Sequence, residues 1–153
     1  TGKLAVRCLD NSELVLYRER LDFDGRRPVV LFPVAGAQPI DDFAGRDDVT
    51  LVALDANWRQ AARMRKALAV RGIPFARAPA GTSTYALRKG PHDDGMSTFE
   101  AITRSLAVLE HVDVAPLVHA LRVFQDRLLW LRGTIAKDAV TGGIPDGVFR
   151  HSA

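Results

Sequence analysis

The stretch Val49-Thr50-Leu51-Val52-Ala53-Leu54-Asp55-Ala56-Asn57-Trp58 sets the architecture. Its first six residues form an unbroken, mostly apolar run of the kind found in strands covered on both faces of a parallel sheet. The run ends on an acidic residue, Asp55, and Asn57 follows where a helix cap belongs. The spacing then predicts a helix over residues 58–71, with Ala61, Met64, Leu68 and Ala69 inward, Arg59, Arg63 and Lys66 outward, and Gly72 as its stop. Asp55 is thereby expected at the carboxyl end of a strand, where open α/β sheets bind their ligands.

Upstream, Val29-Val30-Leu31-Phe32 is a second run of the same kind, entered from Gly25-Arg26-Arg27-Pro28 and ended by Pro33. Residues 3–9 have near-helical spacing, and Glu13-Leu14-Val15-Leu16-Tyr17 reads as a strand. Downstream, residues 73–78 read as a third core strand. Residues 79–96, rich in Gly, Ser, Thr and Asp, form a loop longer than the roughly 12 to 15 residues beyond which loops are usually functional or mobile. Ser97-Thr98-Phe99-Glu100 is a capping box that starts a helix reaching about residue 110. A last helix over residues 116–131 carries Leu117, Leu121, Phe124, Leu128 and Leu131 on one stripe, with Arg122, Gln125 and Arg132 outside. Strands alternating with helices predict an α/β domain, a mostly parallel sheet with flanking helices, over residues 1–137. Residues 138–153, without periodicity, are expected to be a loosely packed tail.

The chain has 153 residues, 47% hydrophobic and 25% charged, enough for one domain with a real core. No apolar stretch approaches the roughly 18 to 20 residues that cross a bilayer, and no secretory leader is visible, so a cytoplasmic protein without a membrane partner is expected. Thr1-Gly2 reads as the interior of a longer chain, and a preceding segment is expected. Cys8, the only cysteine, excludes an intramolecular disulfide and a multi-thiolate zinc site, and reads as a small buried hydrophobe. His92, His111, His119 and His151 have no ligand spacing, so no metal is expected.

The net charge of +3 hides a polarised chain. Residues 56–92 hold eight basic side chains (Arg59, Arg63, Arg65, Lys66, Arg71, Arg77, Arg88 and Lys89) and no acidic one, which leaves −5 on the other 116 residues. For a single helix such a bias is ordinarily a solvated face. Here it continues through a strand and a loop, the pattern of a surface that meets a polyanion, and nucleic acid is the leading partner.

Five elements in order resemble the DTW-domain family. Thr1-Gly2-Lys3-Leu4-Ala5 is similar to its T-G-x-L-A element, and Leu31-Phe32-Pro33 to its strand ending in proline. Leu54-Asp55-Ala56-Asn57-Trp58-Arg59-Gln60-Ala61 resembles its hallmark L-D-G-T-W-R-Q-A, Tyr85-Ala86-Leu87-Arg88-Lys89 its Y-x-L-R-R, and Ser97-Thr98-Phe99-Glu100-Ala101 its L-S-T-L-E-A-I. The resemblance implies a knotted, SPOUT-like fold and a tRNA-uridine aminocarboxypropyltransferase. S-adenosylmethionine is then the donor, its 3-amino-3-carboxypropyl group moves to N3 of a uridine, and methylthioadenosine is released. On this reading RNA, with tRNA first, is the partner; the oligomeric state stays open.

Such a displacement needs a group for the N3 proton. Asp55 is the candidate, as base or as the hydrogen-bond acceptor that orients the uracil edge, although a carboxylate there also stabilises a sulfonium, and locally an Asp before a helix is as readily a cap. By resemblance Thr1, Pro33, Leu87, Ser97 and Thr98 belong to the donor pocket. Trp58 either walls that pocket, stacks on a base, or packs in the core. Arg59, Arg63, Arg88 and Lys89 are the RNA-contact candidates, since phosphates are met by long cationic side chains. Tyr85 either stacks on an unpaired base or packs inside.

The hallmark departs from the family: D-A-N-W stands in place of D-G-T-W or D-C-S-W. Ala removes the conformational freedom of Gly, and Asn keeps a capping side chain. The family's cysteine-rich zinc-binding portion and H-P-x-E element do not occur in these residues. Two rivals follow, a SPOUT-type methyltransferase using the same donor and a catalytically silent RNA-binding module.

Overall fold

The computed structural model describes residues 1–16, 19, 21–87 and 96–150, with the side chain of Trp58 left aside. Arg27–Leu31 (β1) lies inside a four-stranded sheet because both its faces are apolar: Val29 and Val30 are 1% and 0% exposed, and they point into different core clusters. The strands Gln38–Pro39 (β2), Val49–Ala53 (β3) and Phe75–Arg77 (β4) complete a sheet of order β2-β4-β1-β3 in which every pairing is parallel. The α/β class and the parallel sheet expected from the apolar runs are therefore present. β3 pairs with β1 from Arg27↔Val49 to Leu31↔Ala53, which brings the carboxyl ends of both strands to the same edge.

The helices cover both faces. On one, Trp58–Val70 (α2) lays Ala61, Met64 and Leu68 against Val30, Val52 and Leu54, with Leu21 and Phe23 closing the cluster. On the other, Thr98–Leu109 (α3) sets Val108 and Leu109 against Val29, Ile40, Phe43 and Ala76. Gly2–Cys8 (α1) and Ala115–Leu131 (α4) pack on α3 through Ala5, Phe99 and Leu121. Asn57 caps α2 by accepting the Gln60 N–H at 2.9 Å, and Gln60 returns a bond to the Asn57 N–H. Gly72 stops the helix at φ +71°, a conformation that costs a residue with a Cβ.

Several expectations change. Residues 13–16 are irregular, with Leu14 and Leu16 exposed, and no described strand pairs with them; Tyr17 lies outside the described residues. A short apolar run alone makes no strand where the ladder has no partner. β3 is an edge strand, half-buried along its length, instead of a fully covered one. β4 is shorter than residues 73–78, and β2 has no sequence signal at two residues. Ala69 is exposed and Gln125 buried, each the reverse of its helical-stripe assignment. The stretch after α4 is fastened as far as residue 143: Val140 is 6% exposed, the Thr141 N–H bonds to Asp126 at 3.0 Å, and Arg127 Nε bonds to the Gly143 carbonyl at 3.0 Å. These contacts hold it without any periodic pattern.

Candidate active site

Beyond the carboxyl end of β3 lies an open cleft of ≈ 440 Å³ lined by Thr1, Asp55, Ala56, Tyr85, Leu87 and Arg132. This is the position at which parallel sheets present ligand sites, and its volume falls in the range of small-molecule pockets.

Asp55 is held from the side of α1. Its Oδ1 accepts from the Thr1 hydroxyl at 3.3 Å, and the carboxylate accepts the Gly2 N–H. The approach is so close that a Cβ on Gly2 would stand 2.7 Å from Asp55 Oδ2, so this step needs glycine. Thr98 at the start of α3 puts its hydroxyl 3.4 Å from the Leu54 carbonyl and against the same carboxylate. Partial burial pushes the Asp55 pKa up, while the Gly2 N–H and the Thr98 hydroxyl pull it down by stabilising the charged form. Asp55 is thus an ionised acceptor. It takes no part in capping its own helix, which Asn57 does; the helix whose amino end it serves is α1.

The opposite wall is residues 82–87, which carry no regular structure and are held by side chains from α3 and α4. Arg104 Nη2 donates to the Thr82 carbonyl at 2.6 Å. Glu100 accepts from the Ser83 hydroxyl at 2.8 Å, the Thr84 N–H at 2.7 Å and the Ser97 N–H at 2.8 Å. Gln125 Oε1 accepts the Ala86 N–H at 2.6 Å, and Arg132 Nη1 donates to the Leu87 carbonyl at 3.4 Å. Burial raises the Glu100 pKa, and the N–H and hydroxyl donors around it more than reverse that, so it too is held below its ordinary value. The described half of the long loop is consequently a built wall, and the capping box that the sequence assigns to Ser97 and Glu100 doubles as its anchor.

Of the donor-pocket candidates, Thr1 and Leu87 line the cleft. Thr98 sits behind Asp55, and Ser97 is buried with its hydroxyl accepting the Glu100 N–H. Pro33 is exposed beyond β1 and is not among the lining residues. Trp58 is the first residue of α2. Tyr85 both lines the cleft and packs on the cluster of Ala5, Phe99 and Leu121. Arg59 and Arg63 are exposed on α2, directly after Asp55 in the chain, with Lys66 and Arg71 exposed farther along. Arg88 and Lys89 lie outside the described residues. No group of three or more metal-ligating side chains occurs among the described residues, and no described helix is long and apolar enough to cross a membrane.

Arg132 is the lining residue that sequence reasoning missed. A basic residue just past an amphipathic helix reads as solvated, and only the end-point of α4 beside residues 82–87 brings it to the cleft. Ala56 lines it as well, through its place next to Asp55.

The family model described as the DTW domain matches residues 1–129. No curated protein and no solved structure matches the chain.

Proposed function

The chain belongs to the DTW-domain family, and from that premise we propose that it transfers the 3-amino-3-carboxypropyl group of S-adenosylmethionine to N3 of a uridine in RNA, tRNA first, releasing methylthioadenosine. The observation that carries the reading is Asp55, a residue inside the family match: an ionised carboxylate at a strand's carboxyl end, lining a ligand-sized cleft. The residues present fit such a donor. Among the described residues the cleft offers one carboxylate, one guanidinium, a phenol and an aliphatic wall at Leu87.

When bound, the donor supplies a methylene made electrophilic by its sulfonium; the N3–C bond forms as the C–S bond breaks, and the bond's electrons stay on sulfur as a neutral thioether. Asp55 accepts a hydrogen bond from N3–H and so aims the uracil edge at the cleft. As an ionised carboxylate it holds and orients that proton, which is released to solvent. The same negative charge favours a cationic sulfur nearby. Thr1, Gly2 and Thr98 fix the carboxylate, which leaves little reorganisation to the reaction itself. Arg59 and Arg63 on α2 meet the phosphates of an RNA whose target base enters the cleft, and Tyr85 offers a ring for it to stack on.

Incubation with a tRNA transcript and labelled donor tests the proposal. Methylthioadenosine formed in step with modified uridine supports it. S-adenosylhomocysteine as the product would mean methyl transfer, and RNA binding with no affinity for the donor would mean a silent module; either overturns it.

A further inference from the structure

We propose that Arg132 is the carboxylate-recognising residue of the cleft, taking the α-carboxylate at the amino-acid end of the donor while Asp55 faces the cationic part. The proposal rests on the donor reading above and assigns one of its ligand groups.

Asp55 supplies the one carboxylate and Arg132 the one guanidinium among the six lining residues. The donor carries a sulfonium and a carboxylate, and the described lining offers a group of opposite sign to each. A neutral nucleobase has no anionic group for that guanidinium to pair with. Asp55 is already engaged by Thr1 and Gly2. Arg132 spends only a 3.4 Å bond from Nη1 on the Leu87 carbonyl and has no acidic partner among the described residues. Its remaining donors are available in a plane that matches a carboxylate two-for-two. Arg132 follows directly on α4, whose Gln125 fixes Ala86, so the guanidinium and the wall beside it are carried by one rigid element. It also lies beyond residue 129, where the family match ends, so no motif of the resemblance assigns it.

A bond to the Leu87 carbonyl alone would make Arg132 a structural clamp. The deciding readout is therefore selectivity for the carboxylate. Calorimetric affinities for S-adenosylmethionine and for its decarboxylated analogue, which keeps the sulfonium and the amine, are compared in the wild type, R132Q and R132K. Gln retains a donor for Leu87, and Lys retains the charge without the planar pair.

The wild type is expected to prefer the carboxylated compound by about 10- to 100-fold, the strength of a charge-assisted hydrogen-bonded pair. In R132Q the two compounds should bind within about twofold of each other, through loss of affinity for the carboxylated one alone, and R132K should fall between. An unchanged preference in folded R132Q, or an equal loss for both compounds, overturns the assignment and leaves the transfer reaction standing. A wild type that binds neither compound overturns the donor reading and this assignment together.

Discussion

The two walls of the cleft are built by opposite means. The Asp55 wall is the end of a strand: β3 is locked to β1 over five paired residues, Asn57 starts α2 two residues on, and the carboxylate falls between them. The facing wall, residues 82–87, has no ladder of its own and is anchored chiefly by side chains distant in sequence, namely Arg104, Glu100, Gln125 and Arg132. Backbone order therefore fixes one side of the site and side-chain order the other. The first should resist single substitutions and the second should depend on them.

The strongest way to break the contrast is Glu100→Ala. Its removal strands the buried N–H of Ser97, the N–H of Thr84 and the hydroxyl of Ser83. Chemical denaturation should show a loss of about 3 kcal/mol, and donor binding should weaken as Tyr85 and Leu87 lose their support. The pH dependence carries the same signature. The folded-state pKa of Glu100 lies below its ordinary 4.5, so its contribution is complete above about pH 4.5 and is lost as pH falls through the lowered value. The wild type should lose stability through that window, and Glu100→Gln should flatten that part of the acid limb. A variant as acid-sensitive as the wild type would remove Glu100 from this role.

On the strand-end wall the sensitive point is the one close backbone approach. Gly2→Ala brings a methyl carbon to 2.7 Å from Asp55 Oδ2, and a cost of about 2 kcal/mol is expected from forcing α1 and Asp55 apart. An unperturbed melting temperature would show that α1 yields freely and that the Asp55 wall is less rigid than the strand pairing suggests. The smallest effect belongs outside both walls. Arg59→Ala and Arg63→Ala leave stability within about 0.5 kcal/mol, but each should reduce the slope of log affinity for RNA against log salt by about 0.7 to 0.9. Unchanged slopes would move the RNA surface away from α2.

What the sequence made legible follows the same division. The apolar run ending on Asp55, the Asn57 cap and the Ser97-Glu100 box are local patterns, complete within a few residues, and the structure carries each of them. Glu13 to Leu16 looked as strand-like as β3, but an apolar run cannot say whether a neighbouring strand exists, and no described strand pairs with it. Gln125 and Arg132 were read as the solvated side of a helix because a periodic stripe sorts residues by polarity. It cannot anticipate that irregular chain from 39 and 45 residues away will lie against the polar side and need donors and acceptors there. Glu100 shows the intermediate case: its capping bond was readable at a separation of three residues, and its grip on Ser83 and Thr84 was not.

The measurement that bears most directly on the account is methylthioadenosine release from labelled donor in the presence of a tRNA transcript, compared between the wild type and Asp55→Asn. Asn keeps an acceptor for the Gly2 N–H and should leave the melting temperature nearly unchanged, yet release should fall at least about 100-fold because the charge that orients N3–H is gone. Undiminished release from a folded Asp55→Asn protein would contradict the central role of that carboxylate.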